Sequence, residues 1–138
     1  MDSNVADEIA LTWQPENIPD EDFLYMRVHK NWFQPKQNIT GLFKNHGDGM
    51  STDWAYYSTP QETRNRVKQF GKNPEDFAVI KMLVANVKNI EGQTVTHTPD
   101  IPNNNRSHTD VFGEKDVEVR LKFSRIFDII TRVEDSVE

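Results

Sequence analysis

The chain has 138 residues, 36% hydrophobic and 28% charged, with a mean hydropathy of −0.74 and a formal net charge of −6. That length suits one domain with a real core, and eight Phe, three Trp and three Tyr supply bulk that a disordered chain lacks. The acidic balance argues against non-specific nucleic-acid binding and against docking on an anionic membrane; the lack of cysteine excludes disulfides, thiolate metal sites and cysteine nucleophiles.

Residues 1–20 are acidic and carry Pro15 and Pro19, so they read as a flexible arm, with Trp13 a ring able to tuck onto the body or a partner. Residues 21–138 read as a single domain. The first eight residues have no basic or apolar signal region and no apolar run reaches transmembrane length, so a cytoplasmic protein is expected.

Phe23–His29 is the first strand, with Leu24, Met26 and Val28 alternating against Tyr25, Arg27 and His29. Residues 31–38 read as loop, 39–43 as a short strand, and 44–49 as a turn rich in glycine. The segment from Ser51 to Trp54 reads as a turn followed by a buried Trp. Thr59-Pro60-Gln61-Glu62 is a capping box that opens a helix closed by Gly71. The apolar run from Phe77 to Val87 is ambiguous; a strand to about Ile80 or Met82, then a helical turn, is favoured. Thr94 to His97 and His108 to Phe112 read as strands flanking a polar loop braced by Pro99 and Pro102. Val119, Phe123, Ile126, Ile130, Val133 and Val137 step by four and three, which predicts a long C-terminal helix. The fold class expected is α+β: a small mixed or antiparallel sheet of four to six strands, a capped middle helix and the long C-terminal helix packed on one face.

Polar loops held at both ends by a scaffold are where binding concentrates. Arg27 and His29 share one strand face and could hold an anion, Arg through a fixed fork of donors and His through a titratable one; they are equally the outward residues of a half-buried strand. His97 and His108 stand eleven residues apart, too far for a local chelating pair. They meet only if their strands are neighbours, with Asp100 or Asp110 then able to orient an imidazole. Asn105, Arg106 and Ser107 could clamp a phosphate or only shape the turn. Ser51 lacks the Gly-x-Ser-x-Gly context of a hydrolase elbow and is plausible as a hydroxyl contacting substrate. His46, in the glycine turn, is expected to be exposed. No dinucleotide fingerprint or phosphate loop occurs, and no metal or other cofactor is expected.

The segments Leu24-Tyr25-Met26-Arg27-Val28-His29, Ser51-Thr52-Asp53-Trp54, Thr59-Pro60-Gln61-Glu62 and Asn105-Arg106-Ser107-His108-Thr109-Asp110-Val111-Phe112-Gly113 stand in an order that resembles a group of small uncharacterised bacterial proteins. The likeness spans about residues 23 to 115. It points to the strand of Arg27 and His29, the Ser51 segment and the His108 strand as one constellation. A weaker likeness, of the Leu-Tyr-x-Arg strand, is to ADP-ribosyltransferase folds, where the Arg or His would hold NAD. The catalytic glutamate those folds need has no match here, Glu114 and Glu118 being candidates by position alone.

Two functional classes follow. The first is a non-catalytic binding or accessory module acting through a protein partner, with the aromatic arm and the C-terminal stripe as docking surfaces. The second is a small enzyme acting on a phosphate-bearing or nucleotide-like ligand, an anionic small molecule: Arg27 and Arg106 bind the anion, His29 or His108 serves as the catalytic acid–base, and Ser51 and Asn105 position substrate. The sequence favours the first, since it displays no activated nucleophile, metal cluster or cofactor loop. A pocket shared by Arg27, His29, Ser51 and His108 favours the second.

Overall fold

A computed structural model describes residues 13–138; most of the expected arm lies outside the described residues. Among them, six strands form one antiparallel sheet: β1 (Phe23–His29), β2 (Gly49–Trp54), β3 (Phe77–Leu83), β4 (Thr94–His97), β5 (His108–Phe112) and β6 (Phe127–Thr131). Their spatial order is β4-β5-β2-β1-β3-β6. Three short helices accompany them: α1 (Pro60–Asn65), α2 (Val84–Lys88) and α3 (Val117–Phe123).

The alternation in β1 is realised as expected. Leu24, Met26 and Val28 join Met50, Trp54, Ile80, Met82 and Val111 in the core, while Tyr25, Arg27 and His29 face the other way. The core face is covered by Val84, Val87 and Ile90, by Phe43, and by Phe123, whose ring stacks on Phe43 at 5.3 Å. On the opposite face α1 lies over β1 and β3 and leaves the region over β2 and β5 open.

The capping box forms with both hydrogen bonds: Thr59 Oγ1 accepts from the Glu62 amide, and Glu62 Oε1 accepts from the Thr59 amide. Such a cap contributes about 1 kcal/mol. The helix tightens to 3-10 geometry over Arg66–Phe70 and ends at Gly71, whose φ of 71° is the left-handed cap that glycine tolerates. Arg64 is fully buried. Its Nε donates to the carbonyls of Pro74 and Phe77, and its terminal nitrogens donate to those of Val133 and Asp135. One guanidinium thus pins the C-terminal segment, a role that no local pattern announces.

Three expectations are corrected. Residues 39–43 are not a strand: Asn38 caps a 3-10 turn over Ile39–Leu42. The segment from Ser51 to Trp54 is not a turn but most of β2. The long C-terminal helix is absent: α3 stops at Phe123, and the chain turns and returns as β6. The Ser124 hydroxyl bonds back to the Leu121 carbonyl, which competes with helix continuation. Beyond it Phe127, Ile129, Ile130 and Thr131 are aromatic or β-branched and complete a ladder along the otherwise free edge of β3. The heptad stripe still has a packing role. Phe123 is in the core, and Val119, Ile126 and Val133 pack against it.

Candidate functional site

The open face contains a defect in the sheet. β1 and β3 pair along seven residues, but β1 and β2 are in register only at Leu24↔Trp54 and Tyr25↔Asp53. The Ala55 amide donates to the Phe23 carbonyl, so antiparallel alternation makes Arg27 and Ser51 the next hydrogen-bonded pair past Tyr25 and Asp53. That rung is not made. The strands part there, and a cleft of about 610 Å³ opens between them, reaching Met26 and Met50 of the core face.

Arg27, His29, Ser51, Asn105 and His108 all line this cleft, with Asp53, Arg66, Lys44, Lys72 and Asp100. Four Lys and Arg cations face two carboxylates, so the cleft is a basic pocket on an acidic protein. Such a pocket concentrates anions.

Asp53 organises it. Its carboxylate is buried. Oδ2 accepts from Arg66 Nη1 at 2.8 Å and from Thr63 Oγ1 at 2.9 Å, and lies 3.9 Å from Arg27 Nη1. Oδ1 accepts from Asn105 Nδ2 at 2.9 Å. One side chain therefore ties β2 to α1, to β1 and to the polar loop. Two guanidiniums on one carboxylate leave a net positive charge. Burial lowers the Arg27 guanidinium from its ordinary value, with Asp53 opposing the shift and Arg66 adding to it. Arg27 Nη1 donates to the Thr63 carbonyl at 3.0 Å, one of the five N–H donors of its guanidinium.

His108 stands on the far wall. Its Nδ1 faces the Thr98 carbonyl at 2.9 Å and Thr98 Oγ1 at 3.0 Å, and that hydroxyl gives its own proton to Asp110 Oδ2. Both neighbours act as acceptors, so Nδ1 carries the proton. Nε2 then presents a lone pair, 3.3 Å from Ser51 Oγ. His29 has the other tautomer. Its Nδ1 accepts from the Asn31 amide at 3.1 Å, so Nε2 is the nitrogen left to donate. Its backbone is two strands and four residues from that of His108, roughly 15 Å away, so the two do not act on one atom.

The paired strands β4 and β5 do bring His97 and His108 side by side in the sheet, but on opposite faces. His97 is buried: Nδ1 accepts from the Glu16 amide, Nε2 donates to the Arg106 carbonyl at 2.6 Å, and the ring lies 5.1 Å from that of Trp54. Arg106 lies away from the cleft, stacked over Tyr57 at 4.3 Å and 3.7 Å from Glu16. Of the sequence candidates, then, Arg27, His29, Ser51, Asn105 and His108 come together and Arg106 does not. His46 is exposed and also lines the cleft. Asp53, Arg66 and Thr98 were not singled out by the sequence; the alternation of β2, which sets Ser51 and Asp53 on one face, is the signal that would have found Asp53.

Among the described residues no three His, Asp or Glu side chains group to hold a metal, and no helix is long and apolar enough to cross a membrane. Comparison with protein-family models, curated proteins and solved structures returned no match.

Proposed function

We propose that the protein is a small enzyme that binds an anionic, phosphate-bearing or nucleotide-like molecule in the cleft between β1 and β2. Arg27 binds the anion with Arg66 beside it, His29 donates at the far end, and Asn105 positions substrate with Ser51. His108 serves as the base. The observation that carries this reading is that Arg27, His29, Ser51, Asn105 and His108 line one cavity. The docking-module reading has less support, because much of the C-terminal stripe is spent in the core or against it.

The test is an NMR titration of the four histidines with inorganic phosphate, a panel of nucleotides and NAD. His29 and His108 are expected to move together, His97 to stay still, and Arg27→Ala to abolish the response without shifting His97. Histidines indifferent to every ligand, or a response that survives Arg27→Ala, would sink the proposal.

A further inference from the structure

The geometry points to Ser51 as a nucleophile, with His108 its general base, and to an ester carrying a remote anionic group as the substrate. The inference rests on the anion-binding reading for the anionic group, but the serine–histidine pair stands on its own contacts.

A nucleophile needs a base within hydrogen-bond reach, and the base needs a third group to orient it. Ser51 Oγ lies 3.3 Å from His108 Nε2. Thr98 holds the opposite nitrogen through its carbonyl and its hydroxyl, and Asp110 fixes that hydroxyl. The tautomer is thus set so that the lone pair, not a proton, faces the serine. Ser51 is exposed at the cleft and sits within β2, not at a strand-to-helix turn, so no glycine elbow surrounds it.

The position of the cations selects the substrate. Arg27 and Arg66 gather on Asp53, two residues or about 6.6 Å along β2 from Ser51. The negative charge therefore belongs on a substituent and not on the reacting centre, as in an ester of an anionic acid or alcohol. In the first step Ser51 Oγ bonds to the carbonyl carbon and its proton passes to His108 Nε2. The carbon–oxygen bond to the alcohol breaks, and the alcohol leaves with that proton. Water then attacks the acyl-serine with His108 as base, releasing the acid and restoring Ser51.

The experiment uses the full chain and a fluorophosphonate probe, which forms a phosphorus–oxygen bond to an activated serine and expels fluoride. Intact mass and peptide mapping should find one adduct, on Ser51. Ser51→Ala should abolish it and His108→Gln slow it about 100-fold, with circular dichroism unchanged. No adduct, an adduct elsewhere, or equal labelling of His108→Gln overturns the proposal. Phosphate binding by NMR is measured on the same samples. Phosphate binding without labelling leaves the anion cleft standing and removes the nucleophile. Labelling without phosphate binding keeps the serine–histidine pair and overturns the anionic substrate.

Discussion

His97 and His108 stand on paired strands at the two ends of one loop, and their surroundings are opposite. His97 is 1% exposed, wedged against Trp54, and both ring nitrogens are spent on backbone groups. His108 is half-buried; one nitrogen is fixed by Thr98 and the other meets a serine hydroxyl at a cleft. What separates them is the side of the sheet. The core face has no water and demands that every polar atom be satisfied, while the open face, where β1 and β2 part, leaves a lone pair available.

Breaking the link between the two regions should have the largest effect. Asp53 joins the cleft wall to α1 and to the loop that the two histidine strands flank. Asp53→Ala strands two guanidiniums in a partly buried setting and should cost about 3–5 kcal/mol of stability, read as a fall in the urea midpoint. A loss below about 1 kcal/mol would mean that Asp53 is not the hub its contacts describe. Next comes the contrast between the histidines themselves. His97→Ala removes a buried ring and leaves the Glu16 amide and Arg106 carbonyl unpaired, for about 2–4 kcal/mol. His108→Gln should stay within about 1 kcal/mol of wild type. Equal losses in the two variants would erase the distinction between a structural and a chemical histidine.

The same contrast explains what was legible in the sequence. Periodicity shows faces, so the split of β1 into core and polar sides could be read directly, as could the capping box at Thr59. The flanking of the loop by β4 and β5 was equally local. The break between β1 and β2 is different: it depends on which rungs two strands distant in sequence complete, and no residue pattern encodes that. For this reason Ser51 could be seen only as a hydroxyl near a turn, and its contact with His108, fifty-seven residues away, was invisible. The C-terminal stripe misled because steps of three and four suit a helix, yet the same residues also serve as a short helix followed by a strand when β3 offers an open edge.

Thr98 sharpens the comparison at a smaller scale. It acts only through His108, so it is a positioning residue. Thr98→Val keeps the carbonyl contact but removes the hydroxyl between His108 and Asp110. Labelling of Ser51 should slow about tenfold, equivalent to about 1.4 kcal/mol, with stability almost unchanged, and Thr98→Ser should restore the rate. Failure of serine to rescue would assign the loss to packing instead of to orientation of the imidazole.

Lys115 tests the rule at the other end of β5, where two opposing effects are close in size. Its ammonium donates to Asn45 Oδ1 and to the carbonyls of Val111 and Gly113, as His97 Nε2 donates to a carbonyl. Burial nevertheless lowers its pKa to about 8 from the ordinary 10.5. Between those values the unfolded chain holds the proton while the folded chain has released it, so stability should rise with pH across that window. The side chain is only half-buried, and solvent screening trims the effect to below about 1 kcal/mol. Urea midpoints at pH 7.5, 9 and 10.5, compared with those of Lys115→Gln, isolate this group. Wild type should gain on the variant as pH rises. If it loses ground, the three acceptors outweigh burial and the ammonium is stabilising. A satisfied donor at the end of β5 would then resist deprotonation, and the rule drawn from His97 would extend to a charged group.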